Sequence, residues 1–209
     1  MKQHENDLND FGLRNGIWKE SVMKENYREY PLYAACGLNC GLCPRFHTDG
    51  TSRCPGCGGE GFYQKHPSCA IINCGKRHGV DYCFQCGEFP CKRYQKEHEE
   101  NSFITYRPVF RDFEKARCRG LEAYRAELDE KVEMLRDLLE HYNDGRRKNF
   151  YCLAVNLLEL QDVRDTVERI RAEMPCEKGD VKERAERAVK LFEETARDRE
   201  IDLKLKKKK

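Results

Sequence analysis

The sequence predicts a small α+β protein in which a cysteine-knuckle module with little regular structure precedes an antiparallel helical hairpin or bundle. Three observations carry this reading. Ten of the thirteen cysteines fall between Cys36 and Cys91, in short steps of two to four intervening residues. Glycine and proline recur among them, as in Cys54-Pro55-Gly56-Cys57, and favour turns over long helix or strand. Beyond Cys91, apolar residues recur every three or four positions in three successive stripes, the signature of amphipathic helices.

The first element, residues 1–33, is polar with scattered Ile17, Trp18, Val22, Met23, Tyr27 and Tyr33. Asn15-Gly16 reads as a turn and Ile17 to Tyr27 as a short amphipathic helix. The single tryptophan is expected to dock this segment on the rest of the fold. The chain opens MKQHENDLND without an apolar signal region, and no later stretch approaches a membrane-spanning run. The expected setting is cytoplasmic and reducing, with no membrane partner.

The second element, 34–94, holds the ten clustered thiols and is poor in Leu, Ile and Val. Apolar burial alone does not offset the chain entropy of such a segment, so sulfur must. In a reducing compartment clustered cysteines hold metal more often than they pair. Short C-x2-C steps agree, because two neighbouring thiolates share one tetrahedral ion while the loop between them turns backbone N–H groups toward sulfur. Cys54, Cys57, Cys69 and Cys74 make one natural quartet at structural-zinc spacing. Cys36, Cys40 and Cys43 then meet Cys83, Cys86 and Cys91, either as a second four-sulfur site with two spare thiols or as a larger cluster. Interleaved quartets, one knuckle from each half, stay open. Two Zn2+ ions are the first expectation and an iron–sulfur cluster the alternative, since both metals accept sulfur-rich sites. Two zinc ions with eight thiolates would leave a charge of about minus four before hydrogen bonds spread it.

The triplet Cys36-x3-Cys40-x2-Cys43 also matches the spacing with which radical S-adenosylmethionine enzymes hold a four-iron cluster. Those enzymes build their chamber from repeated βα units, whereas here further knuckles and then helices follow. His47, His66 and His78 lie within the module as competing ligands, and with ten thiols present they read as loop histidines.

The motifs themselves resemble a known family. Ala35-Cys36-Gly37-Leu38-Asn39-Cys40-Gly41-Leu42-Cys43-Pro44, then Cys54-Pro55-Gly56-Cys57, Cys69 to Cys74 and Cys83-Phe84-Gln85-Cys86-Gly87-Glu88-Phe89-Pro90-Cys91 are similar to the cysteine-rich prokaryotic family catalogued as domain of unknown function 3795. The resemblance covers about residues 34 to 94. It implies a small cytosolic metal-binding protein and supports all ten cysteines as the family's positions, without saying which of them share an ion.

The third element, 95–200, is helical. Leu121, Tyr124, Leu128, Val132, Leu135, Leu139 and Tyr142 draw one stripe on a helix predicted from about Glu114 to His141, ended by Asn143-Asp144-Gly145. Tyr151, Val155, Leu160, Val163, Val167, Ile170 and Met174 draw a second. Val181, Ala185, Ala188, Phe192 and Ala196 draw a third, after a break at Pro175 and Gly179. Cys118 and Cys152 are expected to pack and Cys176 to lie in a loop. The cluster Glu97, His98, Glu99 and Glu100 reads as a solvated face.

Arg146, Arg147 and Lys148 place three cations where the second helix begins, although the helix dipole there favours anions. They form a candidate docking point for a small phosphate or carboxylate, set against a solvated turn. The last element, 201–209, alternates apolar and charged residues before a lysine run. It either pairs as a strand with an edge of the module or frays.

With 39 basic and 37 acidic residues the chain is near neutral, so a nucleic-acid partner is not expected. No phosphate loop, dinucleotide fingerprint or nucleophile–base arrangement appears, which disfavours familiar hydrolases and kinases and leaves enzymatic activity open. The functional expectation is a structural or interaction scaffold that presents a zinc-fixed surface to a protein partner. The alternatives are an iron–sulfur protein with a redox or sulfur-transfer role, and metal storage or delivery.

Overall fold

The computed structural model describes residues 28–66, 68–95, 103–176 and 179–205, and every regular element among them is helical. The expected α+β class is thereby corrected: this is an all-helical protein, mostly a helical bundle. Three short helices lie in the cysteine module, α1 (Phe62–Lys65), α2 (Ala70–His78) and α3 (Lys92–Gln95), with single 3-10 turns at Cys40–Leu42, Gly50–Ser52 and Cys83–Gln85. Five more form the body: α4 (Val109–Arg119), α5 (Leu121–His141), α6 (Lys148–Leu157), α7 (Leu160–Glu173) and α8 (Val181–Asp198).

Strands are absent among the described residues because the knuckles reverse the chain too often for a ladder to grow. Distant parts of the module meet through single backbone bonds. Cys54 N–H donates to the Arg45 carbonyl (2.9 Å), Cys57 N–H to Pro31 (2.8 Å) and Cys83 N–H to Ala35 (2.9 Å). At Gly56, φ is +85° and an added Cβ would stand 2.5 Å from the Pro31 carbonyl oxygen, so the tight Cys54–Cys57 knuckle requires glycine there.

Two of the three predicted helices are each split. The helix expected from Glu114 begins at Val109 and breaks at Gly120, whose φ of 92° no helix tolerates, so α4 and α5 are separate rods. The second stripe breaks at Leu158 and Glu159, both extended with ψ near 155°. Carbonyls freed at the break find side-chain donors: Arg111 reaches the Leu157 oxygen (2.8 Å) and buried Lys131 the Leu158 oxygen (2.6 Å). The third stripe is α8, with Ala185, Ala188, Phe192 and Ala196 buried as expected. Helix α5 packs against α4, α6 and α7, while α8 closes over α6 and α7.

Module and body share one core. Tyr33 is fully buried, stacked on Tyr82 (5.1 Å between ring centres) and packed on Tyr124 (4.7 Å) and Phe113 (6.0 Å). Leu42 and Tyr94 join the same cluster. The module is short of aliphatic side chains, yet its aromatic rings supply much of the missing apolar area. A second cluster of Ala34, Ala35, Cys57, Phe62 and Ile72 lies inside the module itself.

The first 3-10 turn sits against α5 and α6, and Asn39 beside it ties the two parts. Its amide nitrogen donates to Asp112 Oδ2 (2.8 Å) and Asn156 Oδ1 (2.9 Å), and its amide oxygen accepts from the Tyr124 hydroxyl (2.8 Å). Asn39, Asp112 and Asn156 are all buried, so this network fixes the module's position in a way apolar contact does not.

The C-terminal residues Ile201 to Leu205 neither fray nor pair with the module. Arg107 donates to the Asp202 (2.6 Å) and Lys204 (3.0 Å) carbonyls, and Ile201 and Leu203 pack on the bundle core. Trp18 and the Ile17–Tyr27 helix, the Glu97–Glu100 cluster and the final lysines lie outside the described residues. Among the described residues no helix is long and apolar enough to cross a membrane.

Candidate metal centre

All thirteen cysteines are free thiols, and the ten clustered ones fall into two neighbourhoods. The first gathers around Cys40. Burial pushes its thiol well above the usual range, and Cys57, Cys36, Cys43 and Cys54 push it further. Cys36 is driven up to about 12 by burial, then by Cys57, against the Leu38 N–H that favours the thiolate, with Cys83 and Cys69 adding to the rise. The second neighbourhood is a small cleft of about 30 Å³ whose walls include Cys74, Cys83, Cys86 and Cys91. Cys83 is raised by burial and lowered by a hydrogen bond from Tyr94, while Cys91, Cys74 and Cys86 raise it.

The division is therefore six and four. Cys74, carried at mid-helix on α2, lines the cleft with the thiols that follow it in the chain. Cys74 thus stands apart from the quartet Cys54, Cys57, Cys69 and Cys74 suggested by spacing, and the two groups follow chain order, the first six cysteines in one and the last four in the other, without interleaving. Cys36 bridges the groups, since it feels both Cys57 and Cys83. Tyr94 bridges them too, with its hydroxyl 3.1 Å from the Cys36 carbonyl oxygen and bonded to the Cys83 side chain.

The thiols are candidate donors for a cation. Burial raises Cys43 and Cys57, but backbone N–H groups of Arg45 and Phe46 point at Cys43 sulfur and that of Ala35 at Cys57 sulfur, which stabilises negative charge there. Backbone N–H donors aimed at sulfur are how thiolate sites spread ligand charge. Neutral thiols crowded in a desolvated module gain nothing from them; thiolates sharing a cation do. Among the described residues, however, no three Cys, His, Asp or Glu side chains close to the spacing of a single ion. Four sulfurs on one zinc would stand about 3.8 Å apart, given a Zn–S length of about 2.3 Å in a tetrahedron.

Residues 32–96 match the family model described as protein of unknown function (DUF3795). The chain carries that family's domain. The DUF3795 domain thus spans both thiol neighbourhoods and every clustered cysteine, and its limits also enclose Leu32, Tyr33 and Tyr94, the contacts that seat it on the helices. No curated protein and no solved structure matches the chain. A domain with this many cysteines is compatible with metal binding.

The remaining predicted residues are placed as follows. His47 is tied to the Gly41 carbonyl through Nε2 (2.7 Å), His66 Nε2 lies 3.8 Å from Cys54 sulfur, and His78 lines the four-thiol cleft at its exposed edge. Cys152 is buried in α6, but Cys118 is exposed, its thiol 3.0 Å from Glu114, which corrects its reading as a packing residue. Cys176 lies exposed after α7, as expected. Arg146, Arg147 and Lys148 have different surroundings. Arg146 is exposed, Arg147 pairs with Asp144 (3.5 Å), and Lys148 reaches Thr48 of the module (3.2 Å).

Sequence reasoning missed Asn39 and Tyr94. Asn39 did carry a signal, as a polar side chain between Leu38 and Cys40 in a stretch otherwise built of apolar and cysteine residues. Tyr94 carried none, because its role depends on α3 folding back over Cys36.

Proposed function

We propose that this is a metal–thiolate protein whose cysteine module holds two metal centres, one at Cys74, Cys83, Cys86 and Cys91 and the other around Cys40, and that the metal-fixed module is a structural platform presented by the helical body to a protein partner. The observation that carries the reading is the four-thiol cleft, which draws its sulfurs from α2, the last 3-10 turn and the loop before α3. Four thiols from three successive elements face one small cleft, and a shared ion would offset the entropy of ordering them there. Zinc is the first reading, because closed four-sulfur sites suit it and leave no open position for Lewis-acid chemistry.

One observation favours an iron–sulfur centre as the second reading. Four thiols line one cleft, Cys74, Cys83, Cys86 and Cys91, and four thiolates are the ligand set of a four-iron cluster. The Tyr94 hydrogen bond on Cys83 would then tune a reduction potential. Elemental analysis and the absorption spectrum of anaerobically purified protein decide between them. About two zinc ions per chain and no visible colour support the first reading; a brown protein with stoichiometric iron and sulfide supports the second. Protein free of either metal, with ten titratable thiols and an intact fold, overturns both.

A further inference from the structure

Lys148 leads to a site that the charge run alone did not reveal. It faces a cleft of about 430 Å³ between the module loop 46–53 and helices α5 and α6, whose walls also carry His47, Thr48, Arg53 and Arg136. Among the described residues, Lys148 Nζ bonds neutral acceptors, Thr48 Oγ1 (3.2 Å) and the His47 carbonyl (3.5 Å). The Arg53 guanidinium lies over the Phe46 ring (5.3 Å) with no carboxylate partner among the described residues. Arg136 is steadied by Glu133 (2.5 Å), one turn back on α5 and outside the cleft wall. All three cations bear on His47: burial first, and then Arg136, Arg53 and Lys148, hold its pKa down against the Gly41 hydrogen bond. Three positive groups from separate elements thus line one concave surface, and together they outnumber the carboxylates on it.

The acidic neighbours set the class of anion. Asp49 and Glu140 line the same cleft, so three cations face two carboxylates and the wall is about +1. That balance resists a polyanion such as nucleic acid, and the carboxylates, with Asn143, accept and orient hydroxyl groups. The space also exceeds what a bare phosphate ion fills.

We propose that this cleft binds a small phosphorylated polyol such as a sugar phosphate, with Arg53, Arg136 and Lys148 on the phosphate and Asp49, Glu140 and Asn143 on the hydroxyl groups. The loop that carries Arg53 and Thr48 runs between Cys43 and Cys54, so the site is built where the module meets the bundle, and ligand binding there would brace that junction.

The test uses the full-length chain as purified, with calorimetric titration at constant ionic strength of inorganic phosphate and of ribose 5-phosphate. The expected result is saturable binding of ribose 5-phosphate, tighter than inorganic phosphate, and weakened about tenfold by Arg53→Ala or Lys148→Ala. Arg146→Ala, on the outward side of the same charge run, should leave the affinity unchanged. If Lys148→Ala does not fold, Lys148→Gln and Arg53→Gln replace the alanine variants. Metal content measured on the same samples separates this outcome from any failure of the metal–thiolate reading. Absence of saturable binding by either probe overturns the site; equal loss in Arg146→Ala moves it off the cleft and overturns it as well; equal affinity for inorganic phosphate overturns the assignment to a polyol.

Discussion

The two parts of the molecule answer the same problem with different means. In the body, residues 109–198, each helix supplies its own backbone hydrogen bonds and buries a stripe against its neighbours, so Leu128, Val132, Leu135, Val163 and Ile170 hold it in the ordinary way. In the module, residues 32–94, long-range backbone contacts are single bonds and the inward side chains are mostly thiols and aromatic rings. The difference teaches that the module shares the body's apolar core through Tyr33, Leu42, Tyr82 and Tyr94 and adds little of its own. On the proposed reading, metal bound by sulfur supplies the rest of its stiffness.

The largest expected effect comes from breaking that contrast outright. Exhaustive removal of metal under reducing conditions should lower the melting temperature by about 10 °C or more and remove amide protection from residues 36–91, while α5 to α8 keep theirs. Hydrogen exchange followed by mass spectrometry reads both halves in one experiment. Uniform loss across the chain, or none, would sink the contrast.

Single substitutions sharpen it further. Replacing Cys74, Cys83, Cys86 or Cys91 by Ser should each abolish one whole centre, read as metal equivalents per chain, because that group has four sulfurs and no spare. Within the group of six, two positions should tolerate serine with metal content unchanged if it holds a four-ligand site. Six equal losses would instead indicate a larger cluster.

Next in size is the polar joint. Asn39→Ala strands partners of Asp112, Asn156 and Tyr124 in a buried setting, and should cost about 3 kcal/mol in a urea titration with metal content unaltered. Loss of metal together with stability would mean that the joint and the sulfur sites are one unit.

The smallest effect belongs to the body alone. Burial depresses the Lys131 ammonium to about 8, with Asp112 opposing and Arg111 and Lys115 assisting, from an ordinary lysine value of 10.5. Between those limits the unfolded chain holds a proton that the folded chain has released, so this group's contribution to stability rises with pH across the window. Wild type measured against Lys131→Met should therefore gain about 2 kcal/mol between pH 7.5 and 10, and a flat difference would contradict the assignment.

Much of this architecture was legible beforehand. The stripes of α5 and α8 were read in the main, missing buried Lys131, Leu138 and Leu191, and the Asn143-Asp144-Gly145 turn forms as expected, with Asn143 Oδ1 accepting from Gly145 and Arg147 N–H groups. The breaks at Gly120 and at Leu158 were not. A lone glycine inside a periodic pattern is ambiguous, and Leu158 is extended because Lys131 and Arg111, distant in sequence, receive the carbonyls that a continuous helix would have used. The α+β expectation failed because knuckle spacing says where the chain turns, not whether two turns align into a ladder.

What the sequence determined by itself is local: ten thiols at knuckle spacing, helical periodicity beyond them, and aromatic residues enough to seat one on the other. Only the tertiary structure decided which thiols are neighbours, sending Cys74 to Cys83, Cys86 and Cys91, and which cations share a cleft, separating Lys148 from Arg146. The physical reason is that periodicity and spacing are set by bonds within a few residues, whereas partnership among sulfurs and charges depends on how α2, α5 and α6 pack, and packing is a property of the whole chain.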